Sequence, residues 1–343
     1  MKTVFVVDDS DTNLSMAEAS LENQYRVMTM PSARKMFSLL EKVIPDLILL
    51  DIEMPEVDGF SALKKLKSIS AWSNIPVMFL TGRNDSEIEV QGFELGAVDF
   101  VTKPFSESVL VNRIKTHLDI DEIIRERTSQ LYKLQNSIIS VLANLVESRD
   151  KTTGGHIERT CAYIKILIAE MKKNRVYDDE LKNWDIEKTI SSARMHDLGK
   201  ISISDMIVNK PGKLTDEEFE IMKTHAREGE RIIDEITAKT GEGEFLRNAR
   251  LFAGCHHERW DGKGYPHKFK GEEIPLQGRI MAVVDAYDAL VSKRPYKKTF
   301  THEQAVDFIS QDSGTHYDPK IVDVFINANE QFKHVTERSR IKT

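Results

Sequence analysis

The segment LILLDIEMPEVDGF occupies residues 47–60 and opens with four consecutive apolar residues that end at a carboxylate. A run this short and this apolar is typical of a strand buried on both faces of a parallel sheet. Similar runs, separated by helix-length amphipathic stretches, occur at residues 4–7, 25–29, 77–80 and 98–101. This alternation of short apolar runs and amphipathic stretches is typical of βαβ units. It predicts a doubly wound α/β domain with a five-stranded parallel sheet over residues 1–120.

The pattern changes to a heptad repeat after the fifth run. Apolar residues recur every seven positions, at Ile124, Leu131, Ile138 and Leu145. Two more apolar residues, Leu134 and Val141, lie three positions after Leu131 and Ile138. This spacing predicts a long linker helix over residues 121–150 with one apolar seam. The seam would either join a second copy of the chain in a homodimer or pack on the protein's own domain.

The second half of the chain has the pattern of an all-α domain, over residues 151–335. Stretches at 160–172, 187–195, 217–225 and 278–291 have helical length and period. Thr215 and Glu218 have the spacing of a capping box, which predicts a helix start just before His225.

Composition excludes several classes of protein. The chain has 343 residues, enough for about two domains, with 40% hydrophobic and 30% charged residues, an ordinary globular balance. Its formal charge of −7 argues against binding to polymeric nucleic acid or to an anionic membrane. Cys161 and Cys255 are the only cysteines, which excludes a disulfide framework or a cysteine-rich zinc cluster. The N-terminal stretch MKTVFVVDDS is too short in apolar residues for a signal peptide or a membrane span, so we expect a cytoplasmic protein without membrane insertion.

Polar residues follow the predicted strands at one edge of the sheet. Asp8, Asp9 and Asp51 follow the first and third runs, Thr81 follows the fourth, and Lys103 follows the fifth. The carboxyl ends of parallel strands meet at one edge, where doubly wound folds place their sites. Three converging carboxylates need a hard cation such as Mg²⁺, and Asp51 is a candidate to accept a phosphoryl group.

These residues belong to motifs that resemble the receiver domain of response regulators, which has a flavodoxin-like fold. The matching motifs are VVDDS at 6–10, LLDIEMPEVDGF at 49–60, LTG at 80–82 and VTKPF at 101–105.

The resemblance implies a two-component response regulator that a cognate sensor histidine kinase phosphorylates at Asp51. It also implies that Asp9 and Asp51 bind Mg²⁺ with the help of Asp8, and that Thr81 and Lys103 contact the phosphoryl group.

Histidines and acids recur in notable settings in the helical half. His196 precedes Asp197, and His256 precedes His257. Neighbouring residues on a helix point about 100° apart. Such a doublet is therefore expected to serve two adjacent ions rather than to chelate one ion, which suggests a two-metal centre.

Asp285 lies in the apolar stretch RIMAVVDAYDALV at 279–291. A buried lone carboxylate is costly unless a cation or several donors compensate it, so we expect Asp285 to be buried beside a metal ion. A site of imidazoles and carboxylates without thiolates suits iron, manganese, zinc or nickel.

The combination of motifs in this half closely resembles the HD-GYP family of cyclic dinucleotide phosphodiesterases over residues 140–330. The motifs are HDLGK at 196–200, KPGKLT at 210–215, KTH at 223–225, HHERWDGKGYP at 256–266, RPYKK at 294–298 and SGTHYDP at 313–319.

The resemblance implies a role for each matching residue. Asp197 would bridge two ions, and Lys200 would stand near the scissile phosphate. Tyr265, Arg294 and Lys297 fall at positions that contact substrate phosphates in the family. The implied metal ligands are His156, His196, Asp197, His225, His256, His257 and Asp285.

One position departs from the family. Members with three metals carry a glutamate four residues before the first histidine ligand, where this chain has Thr152. Because threonine is a poor metal ligand, we predict two divalent ions, iron or manganese.

The resemblance therefore implies hydrolysis of cyclic di-GMP to linear pGpG under the control of phosphorylation at Asp51. Three alternatives stay open at this point. The enzyme could act mainly on mixed cyclic AMP-GMP, it could be another HD phosphohydrolase acting on a nucleoside phosphate, or the chain could be an inactive interaction module controlled by phosphorylation.

Overall fold

The computed structural model describes residues 1–82, 86–149, 155–292 and 299–342. The chain divides into two compact units, Met1–Leu131 and Tyr132–Thr343, which are described separately. Among the helices of the described residues, none combines the length and the apolar composition that crossing a membrane requires.

The first unit contains the predicted five-stranded parallel sheet. Its strands are β1 (Thr3–Val7), β2 (Arg26–Met30), β3 (Leu47–Asp51), β4 (Val77–Thr81) and β5 (Asp99–Thr102), in the spatial order β2-β1-β3-β4-β5. The intervening helices are α1 (Asp11–Leu21), α2 (Ala33–Leu40), α3 (Gly59–Ser68) and α4 (Ser86–Glu94). The doubly wound fold class predicted from the apolar runs is confirmed.

Alternation along the central strands explains why this sheet is covered on both sides. In β3, Ile48 and Leu50 belong to one apolar cluster, whereas Leu47 and Leu49 belong to a second. All four side chains are fully buried. Asp51 therefore ends a strand whose position is fixed from both faces.

A single helix, α5 (Glu107–Arg149), contains the boundary between the two units. In the second unit one of its faces packs on the helical core through Ile139, Ala143 and Val146, which are buried. On the same face, Ser140 Oγ accepts a hydrogen bond from Arg194. The predicted seam lies on a different face, and its six apolar residues, Ile124, Leu131, Leu134, Ile138, Val141 and Leu145, are 51–67% exposed. The alternative that the seam packs on the protein's own domain is therefore wrong.

The described part of the second unit is helical, apart from one isolated bridge between Ser313 and Tyr317. Its helices are α6 (His156–Lys173), α7 (Asp178–Leu181), α8 (Ile186–Ser192), α9 (Asp205–Val208), α10 (Asp216–Thr240), α11 (Glu244–Cys255), α12 (Leu276–Val291), α13 (His302–Gln311) and α14 (Pro319–Lys342). The predicted all-α domain is confirmed. The predicted capping box is present too: Thr215 Oγ1 accepts from the Glu218 amide, and the Glu218 carboxylate accepts from the Thr215 amide.

The core of this unit brings α6 and α12 together. The rings of Tyr163 and Phe332 stack with their centroids 4.7 Å apart, and the Tyr287 ring meets both edge-on. All three side chains are fully buried. Because Tyr163 lies on α6 and Tyr287 on α12, this packing sets the middle of α6 against the C-terminal half of α12.

A glycine allows the HDLGK segment to approach α10. A Cβ atom at Gly199 would lie 1.9 Å from the carbonyl oxygen of His225, so no other residue fits there. The close approach positions the 3-10 turn at Leu198–Ser202 beside the middle of α10.

Candidate functional site

The structure brings the five predicted receiver-site residues to one edge of the sheet. Asp51 and Thr81 end β3 and β4, Asp8 and Asp9 follow β1, and Lys103 follows β5. One carboxylate oxygen from each of the three aspartates lies within 4.8 Å of the others. This set of oxygen donors fits the hard ion Mg²⁺.

Lys103 holds this cluster together. Its Nζ atom lies 2.6 Å from Asp8 Oδ2 and 2.8 Å from Asp51 Oδ1. Asn13 Nδ2 donates to both oxygens of Asp8 as well. Burial raises the pKa of Asp51 and the Asp8 charge adds to this, while Lys103 acts in the opposite direction. Asp9 is exposed, so the site is open to solvent on one side.

The helical unit carries two groups of potential metal ligands. His156 begins α6, His196 follows a 3-10 turn, and Asp285 lies on α12; together they form the first group, the α12 group. The second group, the α11 group, contains His225 from α10 and His256 and His257 from the end of α11. In each group one ligand atom per residue lies within 4.8 Å of the others.

In each group, two imidazole rings face one another through their Nε2 atoms. His156 Nε2 lies 3.3 Å from His196 Nε2, and His225 Nε2 lies 3.2 Å from His256 Nε2. The Nδ1 atoms of these four rings have other partners. His156 Nδ1 contacts Asp288 Oδ2. The other three contact main-chain carbonyl oxygens: Ala193 for His196, Met222 for His225 and Phe252 for His256.

A neutral imidazole that donates through Nδ1 presents an acceptor at Nε2. Two such acceptors about 3 Å apart repel each other unless a cation lies between them, and each acceptor is then a ligand. Burial, followed by neighbouring imidazoles, holds the pKa of His256 and His257 well below its ordinary value, so both stay neutral and able to coordinate. The donor set therefore fits a divalent ion in each group.

Asp197 lies between the two groups. Its Oδ2 atom is 3.4 Å from His196 Nε2, and its Oδ1 atom is 3.6 Å from His225 Nε2 and 3.8 Å from His256 Nε2. Burial alone would raise the pKa of Asp197, but the charge of Lys200, together with the adjacent His196 and His225 rings, holds it well below the usual range. Asp197 is thus a carboxylate with one oxygen toward each group.

Two expectations about this centre are wrong. His256 and His257 fall into the same group, because α11 ends at Cys255 and the chain turns there instead of continuing as a helix. Asp285 is not buried, since its side chain is 26% exposed. The buried carboxylate of α12 is Asp288, one turn further on, whose side chain is 1% exposed.

Sequence reasoning missed Asp288 and its partner Arg159. Asp288 Oδ2 accepts from His156 Nδ1 at 2.8 Å, and the Arg159 guanidinium binds both carboxylate oxygens at 2.6 and 2.9 Å. Burial opposes ionisation of Asp288, yet Arg159 and His156 keep its pKa below the ordinary value. A carboxylate behind a histidine ligand fixes its ring and raises its basicity. The available signal was a second aspartate in the same apolar stretch as Asp285.

Tyr265 lies over the α11 group. Its ring centroid is 4.8 Å from that of His257. Burial and the charges of Asp197 and Asp285 raise the pKa of the Tyr265 phenol, which stays a neutral donor. Glu258 fixes the following loop, because its Oε1 accepts from the amides of His267 and Lys268.

Three predicted positions lie outside the described residues. These are Thr152, at the place of the third-metal glutamate, and Arg294 and Lys297, the expected phosphate contacts. Lys200 is described, and its Nζ lies 2.7 Å from Asp197 Oδ2.

Comparison with protein families gives two matches that divide the chain as the motifs do. Residues 4–115 match the response regulator receiver domain, and residues 140–321 match the HD domain. The resemblances drawn from the motifs are thereby confirmed.

Three relatives illustrate the range of named activities. A Vibrio cholerae protein named "Probable cyclic di-GMP phosphodiesterase" is 37% identical over 98% of this chain and 80% of its own length. The cyclic di-GMP phosphodiesterase response regulator RpfG of Xanthomonas campestris is 30% identical over 97% of this chain and 89% of its own length. The 3'3'-cGAMP-specific phosphodiesterase 2 of Vibrio cholerae is 34% identical, but over 59% of this chain and 36% of its own length.

Proposed function

The chain belongs to the family of response regulators in which a receiver domain precedes an HD domain, and we propose that it is a metal-dependent phosphodiesterase that hydrolyses cyclic dinucleotides. We assign the receiver to residues 1–120, the linker helix to 121–150 and the HD-GYP domain to 151–335. Phosphorylation at Asp51 by a sensor histidine kinase would control the activity.

The observation that carries the proposal is the position of Asp197 between two groups of ligands. Its two oxygens face imidazoles from different groups, at 3.4 and 3.6 Å. This is the arrangement that a carboxylate bridging two ions requires. When bound, two divalent ions would polarise the phosphate and lower the pKa of a water molecule.

Other residues have roles of their own in this reaction. Lys200 carries a positive charge beside Asp197 and would stabilise negative charge that develops on the phosphate. The neutral Tyr265 hydroxyl would donate a hydrogen bond to a phosphate oxygen. We also assign phosphate contacts to Arg294 and Lys297, on the resemblance alone. The product would be the linear dinucleotide.

We propose cyclic di-GMP as the main substrate and pGpG as the product. The relatives that align over nearly the whole chain are named for cyclic di-GMP, whereas the 3'3'-cGAMP-specific phosphodiesterase 2 of Vibrio cholerae aligns over 59% of it. The mixed dinucleotide is the alternative substrate, and it differs from cyclic di-GMP in a single base.

We propose two ions in this centre, iron or manganese, and Mg²⁺ in the receiver. The two ligand groups supply one site each, and Thr152 replaces the carboxylate that a third ion would require. Metal analysis of the protein purified without oxygen tests this directly. Three tightly bound ions per chain would contradict it.

We further propose that the linker helix joins two copies of the chain. The seam residues are exposed while a separate face of the helix packs on its own unit, so the seam is available to a partner. Ile138 and Ile139 make a matched pair, because the first is 51% and the second 7% exposed. Ile138→Asp should yield monomers that stay folded, whereas Ile139→Asp should unfold the helical unit. Light scattering and circular dichroism separate the two effects, and a wild-type monomer would contradict the proposal.

The experiment that tests the enzymatic function is product analysis by chromatography. The protein, loaded anaerobically with iron or manganese, is incubated with cyclic di-GMP and separately with cyclic GMP-AMP, beside His196→Ala. A linear dinucleotide that appears only with the intact centre supports the proposal. If metal-loaded protein cleaves neither substrate, with or without receiver phosphorylation, the enzymatic function is refuted and an interaction module takes its place.

A further inference from the structure

A cluster of exposed side chains at the start of α10 has no part in the function described so far. Lys223 lies one helical turn beyond Phe219 and Glu220, at spacings of four and three residues, so its side chain neighbours both. The Phe219 side chain is 46% exposed, and the side chains of Glu220 and Lys223 are 69% and 27% exposed. His225 follows Lys223 by two residues, so the cluster borders the metal ligands.

Ring contacts connect this cluster to the centre. Lys223 Nζ lies 4.9 Å from the centroid of the Phe219 ring and 5.8 Å from that of the Tyr265 ring. Tyr265 in turn lies 4.8 Å from His257. A ligand whose phosphate contacts Tyr265 would therefore bring its next group within reach of Lys223 and Phe219.

The polar atoms of the cluster form a donor and an acceptor side by side. Lys223 Nζ donates to Glu220 Oε1 at 2.5 Å, which leaves the second carboxylate oxygen and two ammonium protons for a ligand. The Watson–Crick edge of guanine presents an acceptor, O6, beside the N1–H and N2–H donors. Lysine pairs with O6, and carboxylates accept from base N–H groups. Adenine presents the reverse order, an N6–H donor beside the N1 acceptor. Its donor would face the Lys223 ammonium and its acceptor would face the Glu220 carboxylate, so neither hydrogen bond would form.

We propose that Phe219, Glu220 and Lys223 form a base-binding subsite that reads guanine in one half of the dinucleotide. Phe219 offers a face on which a base stacks, which adds affinity for any base. Glu220 and Lys223 supply the discrimination. The inference rests on the proposed hydrolysis of a cyclic dinucleotide and adds to it a basis for rejecting dinucleotides that lack guanine.

A single guanine subsite has a specific consequence for the three cyclic dinucleotides. The mixed cyclic GMP-AMP carries one guanine and can bind in the orientation that presents it, so it should bind within about twofold of cyclic di-GMP for statistical reasons. Cyclic di-AMP should bind much more weakly, because neither orientation presents O6 to Lys223.

The test compares Lys223→Met with Lys239→Met in the full metal-loaded protein. Lys239 pairs with Glu235 on the same helix, about 24 Å further along its axis, and is a matched surface control. Lys223→Met should raise the KM for cyclic di-GMP about tenfold with kcat within about twofold. For cyclic di-AMP, Lys223→Met should change kcat/KM less than about twofold, and Lys239→Met should change the kinetic constants for neither substrate. Phe219→Ala should weaken the binding of both substrates by the same factor.

Equilibrium binding of cyclic di-GMP and cyclic di-AMP, measured by calorimetry, separates this inference from the proposed function. If the protein hydrolyses neither ligand but prefers guanine in a manner that Lys223→Met abolishes, the enzymatic function falls and the subsite stands. If hydrolysis proceeds and Lys223→Met weakens both ligands equally or changes neither, the subsite is refuted and the function stands.

Discussion

The two candidate ion sites of this molecule differ in what holds their ligands. In the receiver, the aspartates gather around a lysine of the protein itself, with Lys103 Nζ 2.6 Å from Asp8 and 2.8 Å from Asp51. In the helical unit, paired imidazole nitrogens face one another at 3.2 and 3.3 Å, and their opposite nitrogens are fixed by carbonyl groups or by Asp288.

This difference predicts two kinds of ion binding. The receiver cluster is already compensated in part by Lys103 and is open at Asp9, so its ion should exchange readily. The rings of the histidine centre are already oriented for coordination, but the protein does not compensate the repulsion between their paired nitrogens. We therefore expect its ions to exchange slowly. Mild chelation should remove Mg²⁺ from the receiver while the helical unit keeps its metal.

The largest effect should come from Asp197→Asn, which removes the charge between the two ligand groups. We expect turnover to fall by more than about a thousandfold, because the two-ion clamp on the phosphate is lost. Metal content should fall from two ions per chain to at most one. Elemental analysis and product chromatography measure the two quantities, with Asp307→Asn, an exposed site on α13, as the control. Retained turnover with both ions bound would contradict the bridging role.

A smaller effect should follow from Asp288→Asn, which keeps the shape of the side chain behind His156 but removes its charge. Such supporting carboxylates are worth about 10- to 100-fold in metal affinity. The loss should be confined to the α12 group, so a competition titration with a chromophoric chelator should resolve one weakened and one unchanged site. Asp307→Asn again serves as control. Equal weakening of both sites would show that Asp288 acts on the fold instead of on His156.

The sequence predicted the receiver site more fully than the histidine centre, for a physical reason. In the sheet, each site residue lies at or just beyond the end of a strand, and parallel strands align these ends, so Asp51 and Lys103 meet as a consequence of local pattern. The partition of histidines into groups depends instead on where α11 ends and on how α10 crosses it. The helical pattern therefore predicts different ions for His256 and His257, although the turn after Cys255 places them together.

The two aspartates of α12 show the same limit. Asp285 and Asp288 lie three residues apart in one apolar stretch, and the stretch itself does not distinguish them. What selects Asp288 for burial is Arg159, which comes from α6 and binds both of its carboxylate oxygens. A partner contributed by a distant helix has no signature in the local sequence.

The smallest expected effect concerns stability in the receiver, where two aspartates should respond to pH with opposite sign. Burial raises the pKa of Asp51, so its ionisation destabilises the folded state as the pH rises above the unfolded value near 3.8. Asp51→Asn should therefore stabilise the receiver at pH 7 by about 0.5–2 kcal/mol, and the gain should shrink as the pH falls toward 4.

Asp58 is the contrasting case. The Ser61 amide lowers the pKa of Asp58, so its contribution to the stability of the folded state is present above the unfolded pKa and is lost in acid. Asp58→Ala should cost about 1 kcal/mol at pH 7 through loss of the helix cap. Calorimetry of the full chain at pH 7 and pH 4 measures both, on the transition that Mg²⁺ shifts. Stabilisation by Asp51→Asn that is independent of pH would mean that repacking, and not the charge of the cluster, produces it.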